Sequence, residues 1–401
     1  MTEHLKRRIG LGLLTAYGVG VMVGAGIYVL VGAVAGASGL WAPLAFMCAG
    51  VIAAPTALSY AEFSTRIPEA AGEAAYVGKG LNSQALAVLV GLAIVTAGTV
   101  SAGAVLRGGV GYLTAIVDMP AEWAMVGVGL ALVTVAVIGV LESLWLAAIF
   151  TVIEIVGLAL VIWAGMGAEP VAEFAALDWF EPPSDLALAG IGAGAVLAFF
   201  AFIGFEDIVN MAEEVKRPER NMPLAILLAL GITTVIYGLV SYAAVRAVGI
   251  DALSGSEKPL ALVWQAGRGG EAEFMSAIAV FAALNGVLAQ IVMASRVLYG
   301  LGRRTAVLGV FTHAHARFGT PVLATVLIGA VVISAALALP VAVLAEVTSS
   351  ILLGVFVLVN LALIVMKRRE PEAPFRVWMV VPVVGLVLAA GALAVNLGVG
   401  I

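Results

Sequence analysis

The chain is poor in charge. Asp, Glu, Lys and Arg together make up 11% of its 401 residues, against 63% hydrophobic residues, and its mean hydropathy is +1.13. A soluble domain carries about a quarter charged residues to solvate its surface, so a water-soluble fold is excluded. There is a single cysteine, Cys48, which rules out an intrachain disulfide and reads as a small buried residue. Of the three histidines, His313 and His315 share one loop that has no carboxylate or cysteine at metal-ligand spacing, so no metal site is expected there. The phosphate-binding, nucleophile-elbow and zinc-protease signatures are missing too, which leaves ATP-driven transport and hydrolase chemistry without residues to rest on. The net charge of -5 suits no nucleic-acid partner. No cofactor is expected, and the first apolar run is too long for a cleavable leader.

What the chain has instead is long apolar runs. One bilayer crossing takes about 20 apolar residues of helix. By that measure the sequence predicts an all-α membrane protein of about eleven transmembrane helices, over 10–33, 39–62, 84–106, 121–140, 143–167, 187–211, 223–248, 272–300, 322–340, 343–366 and 377–400. Positive flanks stay cytoplasmic. With the N-terminus inside, all of the 20 Lys and Arg except Arg107, Arg246, Lys258 and Arg268 fall on inner segments, while the outer loop 168–186 carries five acids and no base. The expected topology is therefore N-terminus cytoplasmic and C-terminus outside.

Two of the runs look built to break. The first contains GVGVMVGAGIY at 18–28, four glycines in eleven residues, each costing a helix about 1 kcal/mol relative to alanine. The sixth contains FFAFIGFE at 199–206, followed by Asp207. Glycine repeats also serve as helix-packing surfaces in membranes, and that reading stands for the first stretch taken alone. Two breaks five runs apart match a transporter of two five-helix repeats, each opening with a discontinuous helix. Unwound backbone survives at membrane depth only where it lines a cavity or meets a ligand. Gly24, Ala25 and Gly26 would then offer N–H groups to a carboxylate, and the carbonyls around Phe200, Ala201 and Phe202 would accept from an ammonium.

Longer motifs support the same architecture. VMVGAGIYVLVGAVAGASG and PTALSYAEFSTRIPEAAGEAAYV in the first quarter, FFAFIGFEDIVNMAEEVKRPERNMPLAI in the middle, and ASRVLYGLGRR and TPVLA later resemble the amino acid-polyamine-organocation (APC) superfamily, in its bacterial branch similar to cationic amino acid permeases. The resemblance covers nearly the whole chain. It implies a five-plus-five inverted-repeat fold with discontinuous helices 1 and 6: a first repeat over 1–168, a second over 169–366, and a cytoplasmic linker with an extra helix 11 over 367–401. It also implies a multi-pass protein of the cytoplasmic membrane, surrounded by lipid, that moves an amino acid or amine by alternating access. Carried over by position, the substrate site is Val23, Gly24, Ala25, Gly26, Phe199, Phe200, Ala201, Phe202 and Ile203. Phe200 or Phe202 would act as an aromatic lid, and Glu206 would gate or shape the path.

The coupling ion turns on charges at membrane depth, each of which costs at least about 2.5 kcal/mol. Glu154 lies in FTVIEIVGL, well inside the fifth run. Proton-coupled relatives carry a lysine where this position falls, and an acid here suits a proton carrier; a structural acid facing a polar bundle interior is the other reading. Sodium is disfavoured, because FAALNGVLAQ at 281–290 offers alanines where hydroxyl ligands would be sought. Asn285 and Gln290 in that run read as packing hydrogen bonds. Glu62, Arg66, Glu69 and Glu73 on 61–74, and the mixed charges of AEEVKRPERNMP at 212–223, are expected either to pair across the inner gate or to lie solvated. Few fixed charges fall on the expected pocket, which suits a neutral side chain. Proton-coupled symport of a neutral amino acid is the leading expectation, and amino acid/polyamine exchange the alternative. A non-transporting sensor on this fold, a channel and a membrane-embedded enzyme fit less well.

Overall fold

The computed structural model describes residues 9–23, 25–67, 72–114, 116–138, 144–178, 182–270, 272–302, 305–313, 315 and 320–398. The described residues are helical throughout, apart from turns and one isolated bridge. The helices are α1 (Leu11–Val23), α2 (Ala25–Ser38), α3 (Ala42–Arg66), α4 (Gly72–Gly80), α5 (Gln84–Leu113), α6 (Ala121–Ile138), α7 (Leu144–Gly167) and α8 (Ala172–Ala175). They continue with α9 (Asp185–Phe199), α10 (Pro218–Ala247), α11 (Ile250–Ser254), α12 (Pro259–Arg268), α13 (Glu273–Gly302), α14 (Val322–Ala338), α15 (Val341–Arg369) and α16 (Val380–Asn396).

Each expected run falls on helix. Eight stretches are long and apolar enough to cross a membrane, and α1, α14 and α16 are shorter apolar helices of 13, 17 and 17 residues. This is a multi-pass membrane protein. The first run is carried by α1 and α2, whose described residues end at Val23 and resume at Ala25; Gly24 lies outside the described residues. The sixth is visibly discontinuous. α9 stops at Phe199, a 3-10 turn covers Phe200–Phe202, Ile203 is extended, Gly204 sits at φ +125°, and a second 3-10 segment runs Glu206–Glu214. A β-carbon at Gly204 would be strained by that φ and would also lie 2.7 Å from Val21 Cγ1, so only glycine fits. The expected boundary at 366/367 falls inside α15, which runs on to Arg369.

The core is assembled between helices that approach closely. α5 and α13 pack along their lengths, as do α3 and α10. At the α3 end, Glu62 is fully buried, and its two oxygens are both used. Oε1 accepts from Arg66 Nε at 2.9 Å and Nη2 at 2.7 Å, and Oε2 accepts from Lys367 Nζ at 2.7 Å and the Val377 amide at 2.9 Å. Arg66 Nη1 donates in turn to the carbonyls of Glu370 and Glu372. The expected pairing of 61–74 with 212–223 is therefore not what holds Glu62; its partners are Arg66 on its own helix, Lys367 of α15 and the segment that follows α15. Glu69 lies outside the described residues.

Removing one partner of a buried, fully bonded pair strands the other charge and costs about 3–5 kcal/mol. Lys367→Met is expected to lower the thermal unfolding midpoint in detergent strongly. Glu62→Gln combined with Lys367→Met should cost less than the two single changes added together. Strict additivity in that cycle would show that the pair is not coupled.

Candidate functional site

The first run and the broken sixth run meet. A β-carbon placed on Gly26 would lie 2.9 Å from Ala201 Cα and 3.2 Å from Ala201 Cβ, so backbone of α2 runs directly against backbone of the sixth run. On the α1 side, the same closeness brings Gly204 against Val21 and Met22. Glycine at 26 and 204 is what lets two main chains come this near.

Backbone freed by the breaks finds specific partners. The Ile203 amide donates to Phe200 O at 3.2 Å and the Asp207 amide to Gly204 O at 3.1 Å. The Gly204 amide donates to Glu206 Oε2 at 2.9 Å. Glu206, 4% exposed, thus caps the break from within its own segment. From α10, the Tyr237 hydroxyl lies 2.5 Å from Met22 O and 2.8 Å from Ala201 O. One hydroxyl proton is shared by a carbonyl from each discontinuous run. Tyr237 is held in place by edge-on contacts with Phe46 at 5.7 Å and Phe202 at 5.1 Å.

A cavity of about 60 Å³ opens at this crossing, several times the roughly 10–15 Å³ that one water needs. α1 and α2 contribute Gly20, Val21, Met22 and Gly26, and the sixth run contributes Phe200 and Ile203. The opposite wall is Ser101 and Val105 of α5 with Asn285, Gly286, Ala289 and Gln290 of α13. Among the expected substrate residues, Gly26, Phe200 and Ile203 line the cavity. Val23 is buried in the core, Phe199 packs edge-on against Phe356 at 5.6 Å, and Phe202 packs on Tyr237; none of the three lines it. Ala201 offers a carbonyl that Tyr237 already engages. Gly24 lies outside the described residues, as does the side chain of Ala25, although the backbone of Ala25 opens α2.

Sequence reasoning gave Tyr237, Ser101 and Val105 no role and assigned Asn285 and Gln290 to packing. The only hint was that Asn285 and Gln290 are polar in an otherwise apolar run. Gln290 Oε1 is buried without a hydrogen-bond partner among the described residues. Glu154 on α7 is 1% exposed, with Asn285 beside it, and both its carboxyl oxygens lack a hydrogen-bond partner among the described residues. Its backbone carbonyl accepts from Tyr28 at 2.8 Å, and Tyr28 O accepts from Tyr112 at 2.7 Å. Glu73, on α4 outside the spans, is 5% exposed. Burial pushes its pKa from 4.5 up to about 7; a hydrogen bond to its own backbone opposes this, and the charge of Asp207 adds to it.

The amino acid permease family model matches residues 9–399, nearly all of the chain. The chain belongs to the amino acid permease family. It is thus a transporter of the APC superfamily and not an enzyme. The branched-chain amino acid permease BcaP of Bacillus subtilis is 27% identical over 394 residues, covering 93% of this chain and 83% of the relative. The methylthioribose transporter of Bacillus subtilis is 28% identical over 367 residues, covering 86% and 78%. The vacuolar cationic amino acid transporter 4 of Arabidopsis thaliana is 29% identical over 347 residues, covering 82% of this permease and 58% of the relative.

Tyr237→Phe removes one hydroxyl and leaves two converging carbonyls without their donor. It is expected to cost about 1–3 kcal/mol of stability, read as a lower unfolding midpoint, and to weaken substrate binding; an unchanged midpoint would show that the hydroxyl does not brace the breaks. Glu73 holds its proton in the fold up to about pH 7 but only to about pH 4.5 when unfolded. Its contribution is therefore fully present below pH 4.5 and is lost as pH rises to 7. The unfolding midpoint should fall between pH 5 and 7.5 by a larger amount in the wild type than in Glu73→Gln, and equal slopes would contradict the assignment.

Proposed function

We propose that this permease is a secondary transporter that carries neutral amino acids across the cytoplasmic membrane by alternating access, coupled to protons. The observation that carries the reading is the cavity where the first run meets the broken sixth run. Residues of both runs line it together with Ser101, Asn285 and Gln290 of α5 and α13, and among the described residues it has no charged lining. In this reading the substrate carboxylate meets the N–H groups of Ala25 and Gly26, which open α2, together with that of Gly24, which lies outside the described residues. Helix-end N–H groups bind anions because they lack intrahelical acceptors. The ammonium meets carbonyls of the sixth run, where Ala201 O keeps a second lone pair beyond the one that Tyr237 engages.

The architecture that goes with this is a five-plus-five inverted repeat, 1–168 and 169–366, with 367–401 as linker and extra helix, N-terminus cytoplasmic and C-terminus outside. The glycine-dense first run and the interrupted sixth run support it, each being the opening element of its half. The relatives' names span branched-chain and cationic substrates. A cationic side chain would need a carboxylate in the cavity wall, and Glu206 is turned to the Gly204 amide instead.

For the coupling ion, the reading rests on Glu154. A charge at membrane depth costs at least about 2.5–3.5 kcal/mol, and among the described residues this carboxyl has the neutral Asn285 beside it and no cation to offset that. Proton uptake and release at Glu154 would switch the α7 face between a neutral and a charged form, and so tie substrate movement to the proton gradient.

Uptake of labelled amino acids into proteoliposomes tests this directly. An inward proton gradient should drive accumulation of neutral amino acids above the equilibrium level, in preference to arginine or putrescine. Uptake only against a preloaded counter-substrate would replace symport with exchange, and no uptake of any amino acid would refute the reading. Glu154→Gln should keep substrate binding and flatten the pH dependence of uptake, so an unchanged profile removes Glu154 from coupling. Gly26→Ala should abolish binding in a folded protein, because its methyl group falls 2.9 Å from Ala201 Cα.

A further inference from the structure

Two buried tyrosines tie α2, α5, α7 and α12 together beyond the cavity. The hydroxyl of Tyr112, near the end of α5, donates to Tyr28 O of α2 at 2.7 Å and accepts from the Leu260 amide at 3.3 Å. Leu260 is buried in the first turn of α12, where amides have no acceptor in their own helix, so the Tyr112 oxygen takes that place. The Tyr28 hydroxyl donates onward to Glu154 O of α7 at 2.8 Å. Gly157 gives it room, since a β-carbon there would lie 2.7 Å from that hydroxyl. α5 leads from Ser101 and Val105 on the cavity wall to Tyr112, and α2 leads from Gly26 to Tyr28. The seam between these two helices is shut just past the cavity, where Val29 fills the space that a β-carbon on Gly108 would need. α11 lies on α2 equally closely: Leu253 O occupies the place of a β-carbon on Gly32, and Ser254 Cβ is 2.9 Å from one on Gly36. The turn after α11 reaches α5, with Glu257 Cβ 2.9 Å from the β-carbon position of Gly111. α11, α12 and their turn thus form a cover over this end of the seam.

We propose that Tyr112 is a positioning residue of the transport cycle: its single hydroxyl fastens both α2 and the α11–α12 cover to α5, so that helix and cover leave α5 as one body when the cavity opens at this end. The inference rests on the reading of this cavity as the substrate site, and in the orientation proposed above this end is the outer one. The attachments are unequal. Between α11 and α2 main chain is packed directly on glycine, and such contacts do not slide without opening voids. Towards α5 the polar attachment of helix and cover runs through one oxygen. Moving off α5 breaks both of its bonds in one step, and the bond from Tyr28 to α7 has to yield as α2 departs. In the open form water reaches the Leu260 amide and the Tyr112 hydroxyl and replaces what they lose. In the closed form no water does, so deleting the hydroxyl leaves a buried amide without an acceptor and raises the free energy of the closed form selectively.

The test uses the full chain in proteoliposomes with Cys48→Ser as background. Ser101→Cys on the cavity wall is read with a membrane-impermeant thiol reagent added from either side, and Ala252→Cys, at an exposed position of α11, reports which side the cover faces. Tyr112→Phe should speed modification at position 101 from the cover's side by about tenfold and make it no faster from the other. An unchanged rate, or equal speeding from both sides as a general loosening would give, overturns the proposal. Two engineered disulfides give a second measurement that keeps Tyr112 in place. Gly111→Cys with Glu257→Cys joins the cover to α5, and Gly36→Cys with Ser254→Cys joins it to α2, each from β-carbon positions 2.9 Å apart, which a small shift brings to disulfide spacing. Oxidising the first pair should stop amino acid uptake until reductant is added, whereas oxidising the second should leave uptake unimpaired. A block by the second pair as complete as by the first would show that cover and α2 move separately, and uptake unaffected by the first would show that this seam does not open. If no amino acid is taken up at all, the transport reading falls, while the labelling rates at position 101 still decide whether Tyr112 holds the cover.

Discussion

Main chain inside a bilayer has no water to turn to, so every amide and carbonyl released by a broken helix must be met by the protein itself. The centre of this permease is organised by that requirement. Around residues 199–207 the amides of Ile203, Gly204 and Asp207 are met by local acceptors, the last link being the Glu206 carboxylate. The carbonyls of Met22 and Ala201 converge on the Tyr237 hydroxyl. The break is thus a bonded structure of its own.

Close backbone approach is the second condition. Gly26 against Ala201 and Gly204 against Val21 are contacts that no β-carbon permits. With the first and sixth runs pressed together, the rest of the cavity lining comes from α5 and α13, which pack against each other. In the proposed reading, main chain of the first and sixth runs holds the groups common to every α-amino acid, and α5 and α13 are left to meet its side chain.

The helices and the break in the sixth run could be read in advance, because length, hydropathy and glycine density are local properties that the bilayer makes decisive. Side-chain direction inside the sixth break could not. Helical periodicity fails there, so Phe199 and Phe202 turn to Phe356 and Tyr237 while Phe200 and Ile203 face the cavity. Tyr237 gave no signal, since a lone tyrosine in an apolar helix looks the same whether it packs or braces. The partner of Glu62 was also hidden: Lys367 lies far along the chain and reads locally as a topology anchor. Gln290 could be seen as polar, but only the fold shows that its amide oxygen is buried against Gly98.

The start of the first run and the segment just past the sixth are joined. Ile9, just before α1, forms a parallel bridge with Val215, and its carbonyl accepts from the Lys216 amide at 2.9 Å. Both residues are buried, Ile9 at 2% and Val215 at 0% exposure. Two segments more than two hundred residues apart are thereby latched by main chain alone, so a displacement of one end is passed to the other unless this buried bond is given up.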